Sequence, residues 1–251
     1  GGTTSAGYHA SGTNITDGVA RKWAQVGFKW DGATITHYLN GVAASTDSTG
    51  GSGETLVDSN GAIRFGCNPA GVESYGGLLD EISAWNTTLT DAQVSALYNS
   101  GQPLNATKSA AASNLVGYWR NNSLESTGKW EDLSTNSNHG TVNGTFDTIF
   151  FQEGVTSGKD SQGFPNTITH PSNGAVYLGG VSDYIKPLKP IEADGEFTLM
   201  VWVKPSSFGN AFIGGSGTLE YIQIVNSTSA TVRLRDGSGT STVNTLGNDT
   251  A

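Results

Sequence analysis

One cysteine, Cys67, in 251 residues rules out an internal disulfide, and with it a disulfide-stapled scaffold or a cysteine-ligated zinc site. Charge is equally sparse. Only 14% of the residues are charged, acidic residues outnumber basic ones 22 to 13, and the net charge is -9. Phosphate recognition needs a basic stripe, and anionic membranes attract polybasic segments. Neither nucleic acid nor membrane insertion is therefore expected. No run of about 18 apolar residues, the length of a spanning helix, occurs. Helix-rich proteins place far more Glu, Lys, Leu and Ala on exposed faces.

In their place stand 35 glycines and abundant Ser, Thr and Asn, residues that suit strands and turns. Ala24, Val26, Phe28 and Trp30 alternate with Gln25, Gly27 and Lys29, the period-2 pattern of a half-buried strand. Asp31-Gly32 and Asn40-Gly41 flank Thr34 to Leu39 as two-residue hairpin signals, which predicts a three-stranded meander. Ala62 to Phe65 reads as a short strand. Gly77 to Trp85 reads as another, with Leu78, Asp80, Ile82 and Ala84 on one face and Leu79, Glu81, Ser83 and Trp85 on the other. The one helix is predicted over Thr90 to Asn99. Thr90 is its N-cap, Gln93 the capping-box partner, and Leu89 with Val94 a hydrophobic staple. Gly101 and Pro103 end it.

Leu104 to Ser113 reads as a linker. Beyond it, Leu115 to Trp119, Ala175 to Leu178, Tyr184-Ile185, Phe197 to Val203, Tyr221 to Val225 and Ala230 to Arg235 are strand candidates. Trp130 to Gly140 is an Asp/Ser/Asn/Gly loop, and Phe150 to Asn173 a long irregular stretch of the kind that is often functional. Many short strands with frequent turns predict an all-β antiparallel sandwich with one short helix.

Two groups of motifs resemble the laminin-G-like modules of the concanavalin-A-like jelly-roll superfamily, in its pentraxin-like branch. The first is Lys22 to Gly32 with Tyr38-Leu39-Asn40-Gly41, then Gly77 to Ile82 and Leu89 to Asn99. It is similar to the C-terminal half of a module. The second is Leu115 to Arg120, Asp132 to Gly140, Gly179 to Ile185 and Phe197 to Pro205. It is similar to the N-terminal half. The resemblance thus runs in reversed order. It implies residues 1–103 as the end of one module, 104–113 as a linker and 114–251 as the start of a second, or else one circularly permuted module. Similar Thr/Asn-rich stretches at Ser11 to Gly18 and Thr240 to Asp249 favour the tandem reading. In either case a half-module exposes strand edges, so the halves must pair within the chain or with a neighbouring copy. The stretch Val142 to Phe164 resembles segments of structural proteins of marine tailed bacteriophages.

The resemblance also implies a structural calcium joining Asp80 to the loop that carries Asp132, Asn136 and Asn138, hard oxygen donors that suit this ion. In the tandem reading Asp80 and Asp132 belong to different modules and do not share an ion. Glucanases on the same fold use a Glu-x-Asp-x-Glu strand. No such motif occurs here, and Asp80-Glu81 is expected to split its carboxylates between opposite strand faces. His9, His37, His139 and His170 form no metal-type or nucleophile pattern. The chain is not expected to be an enzyme. Tyr75, Trp130, Phe151 and Tyr184 fall in or near loops and are candidates for stacking on a sugar, whereas Trp23, Trp30, Trp119 and Trp202 belong to strand patterns and are expected in the core. The sequence therefore points to a non-catalytic structural or adhesion protein of an extracellular or virion assembly. Its partners would be other copies or neighbouring modules. The alternative is a calcium-dependent carbohydrate-binding lectin.

Overall fold

The computed structural model describes residues 8–11, 23–32, 34–47, 63–67, 74–125, 127–144, 146–149, 175–180, 183–189, 191, 196–206, 211–216, 220–226, 229–235 and 241–246. Phe150 to Asn173 and residues 12–18 lie outside them. The first segment carries β1 (Tyr8–Ser11), β2 (Ala24–Trp30), β3 (Ile35–Leu39), β4 (Val42–Asp47), β5 (Arg64–Phe65), β6 (Gly76–Trp85) and α1 (Asp91–Tyr98). The second carries β7 (Leu115–Leu124), β8 (Lys129–Asp132), β9 (Gly140–Asn143), β10 (Phe146–Ile149), β11 (Ala175–Gly179), β12 (Tyr184–Pro187), β13 (Phe197–Pro205), β14 (Ala211–Ser216), β15 (Glu220–Asn226), β16 (Ser229–Arg235) and β17 (Ser241–Leu246).

Turn chemistry builds the meander β2-β3-β4 where the sequence places it. Asn40 and Gly41 both adopt positive φ, 50° and 77°, as a tight hairpin turn requires. From there one layer runs β4-β3-β2-β13-β6, and the far edge of β6 is shared by β11 and β7. The opposing layer runs β8-β9-β12-β5-β14-β15-β16-β17-β1. Strand β7 pairs with both β6 and β8 and so ties the layers together. Among the described residues, pairing is antiparallel except for β1 with β17. Among the described residues the result is an antiparallel β-sandwich with one short helix, the expected class.

The core fills the space between the layers. Phe28, Ile82, Trp119 and Val201 from one side pack with Phe65, Trp130, Val142 and Ile185 from the other, and the rings of Phe65 and Trp119 lie 5.3 Å apart. Trp23, Trp30, Trp119 and Trp202 are all buried, as their strand patterns predict.

A second cluster covers the outer face of the first layer. Tyr38, Trp85, Tyr118 and Met200 from the sheet meet Leu89, Val94 and Leu97 from the helix and its entry. The capping box forms in full: Gln93 N–H donates to Thr90, and the Gln93 side chain accepts from the Thr90 backbone. Lys29 Nζ reaches from β2 to Leu89 O at 3.2 Å and Asp91 Oδ1 at 2.7 Å, anchoring the helix start. The helix ends at Asn99, in the left-handed conformation with φ 47°, before Gly101 and Pro103 are reached.

Three local expectations need correction. First, 104–113 is not an exposed linker. Residues Ala106–Lys108 form a 3-10 turn and Ala112–Asn114 another. Ala106 and Ala111 are buried in the same cluster as the helix, so the segment is a packed strap. Second, β6 does not alternate regularly. Its register against β13 shifts between Met200 and Trp202, and Glu81 has φ 51°. This β-bulge inserts one residue, so Leu79, Ile82 and Ala84 enter the core while Leu78 and Trp85 join outer clusters. Third, Trp130 belongs to strand β8 rather than a loop.

Candidate functional site

The loop after β8 is built around one carboxylate. Asp132 is 5% exposed. Its Oδ1 accepts from Tyr118 N and Ser134 N, each at 2.8 Å, and its Oδ2 accepts from Ser134 Oγ and Asn138 N, each at 2.8 Å. Asn138 Oδ1 accepts from Lys189 N at 2.6 Å, while its Nδ2 donates to Lys189 O at 2.9 Å. The Asn138 carbonyl accepts from Trp119 Nε1 at 3.0 Å. Asn136 turns its Nδ2 to Val116 O at 3.0 Å. Asp, Ser and Asn side chains make such local bonds to backbone readily.

These contacts bear on calcium. Hard cations need several free oxygens converging on one point. Both Asp132 oxygens are already engaged by protein donors, as is the Asn138 amide oxygen. Asp80 lies elsewhere. It opposes Trp202 on the outer side of the bulged strand, whereas Asp132 opposes Trp119, a core residue, two strands away. The expected set Asp80, Asp132, Asn136 and Asn138 is not brought together, and the residues present do not fit the ion. Among the described residues no group of three or more His, Cys, Asp and Glu is placed to hold a metal.

Asp80 instead belongs to a buried charged cluster that the expected alternation hides. Without a bulge, Asp80 and Glu81 would point to opposite faces. With Glu81 in the left-handed conformation their charges interact, and both are buried, at 0% and 4% exposure. Glu81 Oε1 pairs with Arg120 Nη2 at 2.8 Å, and Tyr118 Oη donates to Glu81 Oε2. Burial, then the neighbouring Asp80 charge, push the Glu81 pKa up to about 8 against the opposing pull of Arg120 and Tyr118. The Tyr118 hydroxyl is held far up for the same reasons, burial first and the Glu81 charge second. A signal for this cluster exists in the sequence. Tyr118 and Arg120 are two apart, hence on one strand face, beside the only Asp-Glu pair set in an otherwise apolar strand.

The aromatic candidates divide. Tyr75 and Trp130 are each 0% exposed, which corrects their assignment as sugar platforms. The Tyr75 hydroxyl donates to Leu78 O at 3.1 Å, and Trp130 Nε1 donates to Arg120 O at 2.7 Å. Such bonds satisfy the polar tips of buried rings, and no ring face is left for a ligand. Tyr184 is half-buried, with the Arg64 guanidinium 4.7 Å from its ring centre. Phe151 lies outside the described residues.

The sequence did not single out a polar cleft of about 400 Å³ beside the Asp132 loop. Leu115 and Val116 line it together with Asn86, Ser113, Thr135, Asn136, Asn138 and Lys189. Strap, β7 and loop each supply part of this wall, so no contiguous motif marks it.

Among known proteins, residues 1–95 match a laminin G family model described as the concanavalin A-like lectin/glucanases superfamily. The matched stretch covers β1 to β6 and ends within α1. No curated protein and no solved structure matches the chain. Residues 1–95 are thus similar to a laminin-G-like, concanavalin-A-like module, in agreement with the motifs of that stretch.

Proposed function

We propose that this chain is a non-catalytic structural or adhesion module of an extracellular or virion assembly, with neighbouring copies or modules as its partners. Laminin-G-like domains are generally non-catalytic. The observation that carries the reading is the state of the strand carboxylates. Asp80 and Glu81, the pair nearest in kind to a glucanase acid and nucleophile, are both buried, Glu81 against Arg120 and Tyr118. A glycosidase needs two carboxyl groups flanking an accessible bond. Among the described residues no helix is long and apolar enough to cross a membrane, which is compatible with a surface location.

The cleft supports a second reading, carbohydrate binding. Its amides, hydroxyls and single Lys189 ammonium suit a neutral or weakly acidic polyhydroxyl ligand, because specificity in such sites comes from a few placed polar groups. Glycan-array binding with and without chelator separates the two. Binding that survives chelation and is lost in Asn136→Ala and Lys189→Ala supports the lectin reading at this cleft. Absence of binding to any glycan, combined with concentration-dependent self-association, supports the assembly module.

A further inference from the structure

Strands β2 and β6 lie in the same layer, yet they do not pair with each other. Between them is β13, which belongs to the other end of the chain. Phe197 to Val203 pairs with Trp30 to Ala24 on one side, and Thr198 to Pro205 with Trp85 to Gly77 on the other. All nine residues of β13 are buried. Phe197, Leu199, Val201 and Val203 enter the core, Met200 the cluster under the helix, and Trp202 a third cluster with Trp23 and Leu78. Without β13 the first segment is a layer with its central strand missing and two open edges.

The edges of this slot are shaped for its occupant. A Cβ on Gly27 would stand 2.3 Å from Met200 Sδ and 2.4 Å from Leu199 O, and one on Gly77 would stand 2.5 Å from Lys204 O. Glycine at these two positions is what lets β13 approach. Side chains fix the register as well. Thr198 Oγ1 donates to Thr87 O at 2.8 Å and accepts from Leu89 N at 3.1 Å. Thr88 Oγ1 donates to Glu196 Oε2 at 2.7 Å. The first segment meets the second elsewhere too, with β5 lying between β12 and β14 and β6 flanked by β11.

We infer that residues 1–103 and 114–251 are complementary parts of one sandwich, and that the slot between β2 and β6 is a strand-acceptor site whose ligand is Phe197–Pro205 of the same chain. Strand addition of this kind draws affinity from main-chain hydrogen bonds and specificity from alternate side-chain pockets. Of the two organisations open in the sequence, this is the single permuted module. The strap argues for the same chain as donor. A linker between independent modules is exposed and polar, whereas here Ala106 and Ala111 are buried against the layer that holds the slot.

The test cuts the full chain. A protease recognition sequence is inserted between Ser109 and Ala110, beside exposed Lys108 and Ala110, and the folded protein is cleaved. The two fragments are expected to co-elute as one species of monomer mass in native buffer and to separate only in denaturant. Fragments that separate in native buffer overturn the inference, and so does an uncut chain that is an obligate dimer, since the strand would then come from a second copy. If the insertion blocks folding, hydrogen exchange of the unmodified chain decides. Amides of β2, β6 and β13 are expected to exchange in one cooperative unit, with Gly27→Val accelerating all three together. Exchange of β2 and β13 in separate units overturns the inference.

Discussion

Two buried carboxylates, Asp132 and Glu81, solve the same physical problem differently. A buried charge costs several kcal/mol unless it is paired or hydrogen-bonded. Asp132 is satisfied mostly from within its own loop: Ser134 and Asn138 give it three of its four bonds, and Tyr118 N the fourth. Glu81 depends on side chains from across the strap, Arg120 and Tyr118, and it competes with Asp80 beside it. The first is a tight turn whose donors are three backbone amides and one hydroxyl, none of which titrates. The second is a coupled ionic cluster whose state follows pH and whose integrity requires both segments.

The comparison breaks most sharply at Arg120. Arg120→Ala removes the cation and leaves Glu81 and Asp80 buried together, with an expected loss of about 3–5 kcal/mol in urea unfolding. Arg120→Lys should recover only part of this, because Lys has no planar fork of donors. Asp132→Ala should cost less, roughly 2–4 kcal/mol by the same measurement, since the buried N–H groups of Tyr118 and Asn138 lose their acceptor at about 1–3 kcal/mol each.

The pH dependence sharpens the contrast. The folded pKa of Glu81, about 8, lies above its ordinary value of 4.5, so the folded state binds more protons than the unfolded one in between. Stability from this group is complete below that window and declines as pH rises through it. Thermal melting is therefore expected to fall from pH 5 to pH 9, and Glu81→Gln to flatten that slope. The smallest effect is a null. Chelator is expected to leave the melting temperature unchanged, because the Asp132 loop is closed by protein donors. A fall on chelation would show a bound cation that the hydrogen-bonded loop does not anticipate.

The same contrast explains what was legible in the sequence. Elements set by neighbours a few residues apart were readable: the Asn40-Gly41 turn, the Thr90/Gln93 capping box, and the alternation Ala24 to Trp30 that buries Val26, Phe28 and Trp30. The bulge at Glu81 was not, because one inserted residue leaves the composition of the strand unchanged while moving every side chain before it to the other face. Tyr75 and Trp130 were misplaced for a related reason. Polar neighbours made them look exposed, yet their burial is decided by strands far away in the chain. The polar cleft was illegible because separate parts of the chain, from Asn86 to Lys189, line it.

The position of β13 also governs how this protein must be made. Strand β6 ends at Trp85 and β13 begins at Phe197, so on a ribosome the acceptor edges emerge about a hundred residues before the strand that closes them. At ~5–20 residues per second of synthesis, the half-built sheet waits roughly 5–20 seconds with two apolar edges open. Long-range closure of this sort slows folding, and an unpaired edge is a template for mispairing with another nascent chain. The centre of the mature sandwich is thus the last part of the layer to arrive, and yield on expression should respond more to translation rate and nascent-chain protection than to the stability of the finished fold.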